Sequence, residues 1–136
     1  MFSYYFTLEE ANKTLEGLTE EMAGLQELQL EYRELLASRL RFKQESFISA
    51  AAKEEELFVL EAGIDFLEFQ SRMLIKQLEK QSIFVKSIDQ GLVDFPARMD
   101  GTPVLLCWKQ GETEIAHYHG VFETYRKRKK VNYIDD

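Results

Sequence analysis

Apolar residues recur along the first half of the chain at alternating steps of three and four. They fall at Leu8, Ala11, Leu15, Leu18, Met22 and Leu25, then at Tyr32 and Leu36, with Gln29 the single polar interruption. This is the seam of an amphipathic helix that pairs with another helix. Leu28, Leu35 and Phe42 widen it in the second half. The start is marked at Phe6-Thr7-Leu8-Glu9-Glu10-Ala11. Thr7 caps, Glu10 reaches back to its amide, and Phe6 and Ala11 stand where a hydrophobic staple sits. A second stretch repeats the pattern at Leu57, Leu60, Ile64, Leu67, Ser71, Leu74 and Leu78. It carries an extra stripe at Phe58, Ala62, Phe66, Phe69 and Met73, wider than one antiparallel partner helix covers.

Between the two stretches the apolar signal lapses, although the heptad phase runs on. The seam positions there are Arg39, Lys43, Ser46, Ala50 and Lys53. We read a turn near Gln44–Ser49, with Ser49 as the N-cap of the second helix, and hence a helical hairpin. The alternative is one helix of about 80 residues, roughly 120 Å long.

After Gln81 the period changes from helical to alternating. Ser82–Ile88 is rich in β-branched and aromatic residues, as strands are. Asp89-Gln90-Gly91 marks a turn, Leu92–Ala97 a strand, and Asp100-Gly101 a tight hairpin. Val104–Trp108 is the next strand. Gln110-Gly111 reads as another two-residue turn and Glu114–His119 as a fourth strand. The predicted fold is therefore α+β: a long antiparallel helical hairpin followed by a small three- to four-stranded antiparallel β-meander. It forms a single domain over 1–136, with the hairpin at 1–81, the meander at 82–122 and a basic C-terminal tail at 123–136.

The two turns set a register. Ala97 pairs with Val104, Phe95 with Leu106 and Val93 with Trp108; Leu106 then pairs with Ile115 and Val104 with His117. Val93, Phe95, Ala97, Val104, Leu106, Trp108 and Ile115 share one face, a clean core face that supports the register. Asp94, Cys107 and Glu114 form a row on the other face, a candidate pocket. His117 and His119 project together at the far end of the apolar face. Their H-x-H spacing suits two ligands of a metal such as zinc, which needs a third, with Glu112 or Glu123 within reach through loops. In this register they face away from Asp94 and Cys107; a one-residue slip would bring them to the same side. Two carboxylates beside Cys107 argue against a nucleophilic thiol. Glu112 is expected to pair with Lys109 across the turn.

Composition narrows the classes of function. The 136 residues are 45% hydrophobic and 30% charged, with 7 Gly and 2 Pro, as in an ordinary globular protein. The single Cys forms no internal disulfide, which fits a reducing cytoplasm. We expect no signal peptide and no membrane span. The net charge of −7 disfavours nucleic acid as a general partner. Five basic residues (Arg126, Lys127, Arg128, Lys129 and Lys130) against three acidic ones nevertheless make 123–136 net +2. That run is a candidate anion or nucleic-acid contact, with Tyr125 and Tyr133 available for stacking.

FTLEEAN near the start, then GLVDFPA, LLCWKQGE and HYH, resemble an uncharacterised prokaryotic family, domain-of-unknown-function family 2203. Its members have FTLEEAN, a long helical region, GLVDFPA, LCWKLGE and a WH pair, then a glycine-rich segment ending in Arg. Here Tyr118 stands in place of the Trp. Gln81 or Ser82 stands where a Gly ends the helix, and ETYRKRKKV replaces the glycine-rich segment. The resemblance implies no activity. The leading expectation is a non-enzymatic, self-associating protein with an unidentified protein partner. It would form a homodimer through Phe58, Phe66, Phe69 and Met73, because that stripe would otherwise be bare. The alternative is a small-molecule or metal-binding protein with its site on the meander; no organic cofactor is expected.

Overall fold

A computed structural model of the chain describes residues 1–45 and 47–136. The elements in order are α1 (Leu8–Lys13), α2 (Leu15–Lys43), α3 (Ala50–Lys80), β1 (Phe84–Ser87), β2 (Leu92–Met99), β3 (Thr102–Lys109), β4 (His117–Gly120), a 3₁₀ turn (Tyr125–Lys127) and β5 (Lys129–Lys130). The five strands form one antiparallel sheet in sequence order. The chain divides into two compact units, Met1–Ala23 with Ile75–Asp136, and Gly24–Leu74.

In the first unit, Thr7 and Glu10 form the expected capping box on α1. The Glu10 amide donates to Thr7 Oγ1 at 3.1 Å and the Thr7 amide to Glu10 Oε1 at 2.9 Å. The helical run is interrupted at Thr14, whose amide and hydroxyl both donate to the Ala11 carbonyl. Ala11, Leu15, Leu18 and Met22 bury their stripe against Val93, Phe95, Ala97, Val104, Leu106 and Trp108, together with Phe6, Leu78, Ile83, Ile115 and Ile134. All seven residues of the predicted core face are in this cluster. Phe6 adds an edge-to-face contact with Phe95, centroids 5.3 Å apart, and its amide donates to the Pro96 carbonyl.

The C-terminus of α3 explains the missing glycine. Ser82 donates to the Glu79 carbonyl and Ile83 to the Leu78 carbonyl, both at 2.9 Å. This is a Schellman motif, with Ser82 at its left-handed position (φ 61°), where glycine is the usual residue. Leu78 and Ile83 are both buried in the core cluster, as the motif's apolar pair.

In the second unit, α2 and α3 form the hairpin. Tyr32 Oη donates to Glu68 Oε1 at 2.7 Å, and Leu35 lies against Gly63. Lys53 Nζ donates to the Lys43 and Glu45 carbonyls at the turn. Ser49 caps α3: its Oγ accepts from the Ala52 amide at 3.3 Å. The expected turn contains Ser46, which lies outside the described residues; the single long helix is excluded. Ile64, Leu67 and Leu25 are buried here. The second stripe of α3 is not: Phe58 is 74% exposed, Phe66 60%, Phe69 55% and Met73 43%.

The β2–β3 hairpin has the predicted register, closed by Asp100 (φ 50°) and Gly101 (φ 80°). The β3–β4 pairing does not. Val104 lies opposite Gly120, Leu105 opposite His119, Leu106 opposite Tyr118 and Cys107 opposite His117. The Gln110-Gly111 turn is not a two-residue loop. Glu112 folds back, its amide donating to the Lys109 carbonyl at 3.0 Å while its Oε1 accepts from the Lys109 amide at 2.7 Å. Trp108 Nε1 donates to the Glu112 carbonyl at 2.9 Å. Ile115 reaches the core from this loop, its amide held by Asn12 Oδ1 at 2.7 Å.

The segment after β4 is not a solvated tail. β5 pairs with β4, Val131 donates to the Ala116 carbonyl, and Ile134 is buried. Asp135 accepts from the Asp100 and Gly101 amides at 3.0 and 2.8 Å, tying the chain end to the tight turn.

Candidate functional site

The changed register carries His117 and His119 to the face that holds Asp94 and Cys107, because an odd shift along a strand inverts every side chain. His119 meets Asp94 there: Nε2 lies 3.1 Å from Asp94 Oδ2, with both side chains buried. Cys107 completes the group. One ligand atom from each of Asp94, Cys107 and His119 lies within 4.8 Å of the other two. The three residues are 2%, 1% and 3% exposed. Glu114 does not join them; it is exposed on the loop before β4, because that loop replaces the strand that would have aligned it. The H-x-H pair does not act together either. His117 Nδ1 lies 3.9 Å from Glu112 Oε2 and is buried without a hydrogen bond.

Protons in the cluster are constrained by the backbone. His119 Nδ1 is 2.8 Å from the Gly120 carbonyl, and a carbonyl only accepts, so Nδ1 carries a hydrogen. A neutral ring held this way turns a lone pair toward the Asp94 carboxylate. At 3.1 Å the two atoms are at hydrogen-bond distance, and that bond needs a proton on one of them. Burial raises the Asp94 pKa above the usual carboxylate range, against the opposing pull of His119 and Lys86. Burial, and then the Asp94 charge, push the Cys107 thiol up to about 12, although Arg128 beside it pulls the other way. Burial and the Asp94 charge thus favour the protonated thiol at Cys107.

The cluster opens on a cavity of about 320 Å³. Lys86, Leu92 and Leu105 line it from the sheet, and Val121, Glu123, Thr124 and Tyr125 from the segment beyond β4. That segment turns at Gly120, whose amide donates to Glu123 Oε1 at 2.7 Å.

Arg128, one of the five basic residues, points inward. Its guanidinium makes a two-pronged pair with Glu112, Nη1–Oε1 3.1 Å and Nη2–Oε2 2.8 Å, and stacks on Tyr125 at 4.5 Å. Glu112 therefore serves Arg128 rather than the Lys109 side chain. Partial burial disfavours its charge, but Arg128 and the Lys109 amide outweigh this and hold its pKa below the usual range. Arg126, Lys127, Lys129 and Lys130 remain exposed. No helix among the described residues is long and apolar enough to cross a membrane.

A helical hairpin joined to an antiparallel sheet, with a buried Asp-His-Cys group under a pocket, defines the class of structure. The chain belongs to the family described as Uncharacterized conserved protein (DUF2203), whose model matches residues 4–131. No curated protein and no solved structure matches it. Three of the stretches that carry the family resemblance each send one residue to the pocket: Asp94 from GLVDFPA, Cys107 from LLCWKQGE and His119 from HYH.

Proposed function

We propose that the protein binds a small ligand in the pocket over β2, β3 and β4, with Asp94, Cys107 and His119 as its polar floor. One observation carries this reading. Three buried polar side chains from three strands converge at the base of a cavity, where apolar residues would fill the sheet face more cheaply. The reading gains over self-association because the observed register unites residues that the expected one kept apart. It is tested by a thermal-shift screen of small molecules, run in chelator, on wild type and on Val121→Trp, which fills the cavity from its rim. Molecules that stabilise wild type and not the variant are expected. No stabilising molecule, or the same molecules for both proteins, contradicts the reading.

The bare stripe of α3 supports a second reading, pairing with another copy of the chain. An antiparallel pairing of the stripe with itself, centred between Asp65 and Phe66, sets Ala62 against Phe69 and Phe58 against Met73. The pairing sets a small residue against a large one at each of the two Ala62–Phe69 positions, so the stripe is self-complementary in shape. Sedimentation is expected to give a dimer that Phe66→Glu reduces to a monomer. A wild-type monomer at tens of micromolar overturns this reading.

A further inference from the structure

We infer that Asp94, Cys107 and His119 form a binding site for one divalent transition-metal ion of the zinc class, with a fourth coordination position open to the pocket. The inference deepens the pocket reading and rests on it.

The donor set is the first argument. A thiolate, an imidazole and a carboxylate are the ligands that zinc and cobalt take, whereas magnesium and calcium prefer all-oxygen sites. The spacing is the second. Zinc bonds of about 2.0–2.3 Å in a tetrahedron put ligand atoms roughly 3.3–3.7 Å apart. The three donors lie within 4.8 Å of one another, and His119 Nε2 is 3.1 Å from Asp94 Oδ2, so small side-chain shifts close the set around an ion.

Orientation is the third argument. Metal-binding histidines commonly give their second ring N–H to a backbone carbonyl, which fixes the tautomer and aims the lone pair at the metal. The Gly120 carbonyl does this for His119 and leaves Nε2 for the ion. Charge is the fourth. Two anionic ligands and one neutral ring neutralise a divalent ion, so the loaded site carries no net charge into the interior. On loading, the Cys107 thiol proton and the proton shared by Asp94 and His119 leave to solvent. The ion takes their place between the same atoms.

All three donors line the cavity, so the fourth position is presented to whatever enters it. Three protein ligands and one open position describe a reactive zinc site, in contrast to the closed four-ligand structural kind. Arg128 stands near Cys107, but Glu112 neutralises its charge.

The test uses the full-length protein, stripped with chelator, dialysed and titrated with cobalt(II) alone. The expected result is one equivalent bound, with a near-ultraviolet thiolate-to-cobalt charge-transfer band and the visible bands of a tetrahedral ion. Zinc should displace the cobalt. Cys107→Ser should abolish the thiolate band, and His119→Gln or Asp94→Asn should weaken binding by at least about tenfold. Far-ultraviolet circular dichroism and melting identify any variant that fails to fold. Should one fail, the thiolate band of wild type reads the same site, because Cys107 is the chain's single cysteine. The inference is overturned if cobalt does not bind, binds without the thiolate band, or binds folded Cys107→Ser as tightly as wild type. A pocket that still takes organic molecules in chelator but no metal removes this inference and leaves the pocket reading. Loss of both removes both.

Discussion

The two faces of the sheet are both buried, by opposite means. Val93, Phe95, Ala97, Val104, Leu106 and Trp108 are covered by apolar residues from the helices and chain ends. Asp94, Cys107 and His119 on the reverse are buried beneath residues 121–125 and satisfy one another. The first arrangement is what hydrophobic packing produces unaided, and its cost of error is a cavity. The second trades stability for placement: a buried polar group is tolerated only with its partners, so each residue there constrains the others. A protein that needed only a stable sheet would not build the second face.

That contrast can be broken from the apolar side first. Phe95→Ala removes a fully buried ring packed on Phe6 and should cost about 3–5 kcal/mol in urea unfolding. A loss under about 1 kcal/mol would mean that the core face is loosely packed.

On the polar face the expected signature is coupling. In metal-free protein, Asp94→Ala and His119→Ala should each cost about 1–3 kcal/mol, because each strands a buried partner. The double variant should cost clearly less than the two single losses together. Strict additivity in the double-mutant cycle would show that the pair does not act as a unit.

The Glu112–Arg128 pair, at the edge of that face, is partly exposed, so Glu112→Gln should cost only about 0.5–1 kcal/mol at neutral pH. Its folded pKa is depressed, so its contribution is present above the unfolded pKa and lost as pH falls through the folded one. Wild type and Glu112→Gln should therefore converge in stability in acid, below the carboxylate range. A constant difference at every pH would assign the effect to packing instead.

Ser82→Gly is the smallest change. It relieves a left-handed serine and should stabilise by up to about 1 kcal/mol, less what the lost contact between Ser82 Oγ and Ser3 Oγ was worth. Destabilisation in a melting experiment would show that the Ser3 contact outweighs the backbone strain.

The apolar face was legible in the sequence because its signals are local. Thr7 and Glu10 announce the capping box, the three-four spacing announces the helices, and Asp100-Gly101 admits one register for β2 and β3. The polar face was only half legible. Asp94 beside Cys107 follows from that same hairpin. Placing His119 with them requires the β3–β4 register, and that depends on Glu112 folding back under Trp108. A side chain that caps its own turn leaves no mark in the hydrophobic pattern, so Gln110-Gly111 read as a tight turn and Glu114 as a pocket residue. The inward turn of Arg128 was not legible for a related reason. Charge alone does not distinguish Arg128, drawn inward by Glu112, from its exposed neighbours. The stripe of α3 was legible as surplus because a helix face carries its own periodicity; what covers it is not written in α3 alone.

The most direct test of the polar face is an anomalous-difference map at the zinc edge, from crystals grown with one equivalent of zinc. The account predicts a single strong peak within about 2.5 Å of Asp94 Oδ2, Cys107 Sγ and His119 Nε2 together. Peaks confined to surface carboxylates or to His117, with the Asp94–His119 hydrogen bond intact and no ion beside Cys107, would contradict it.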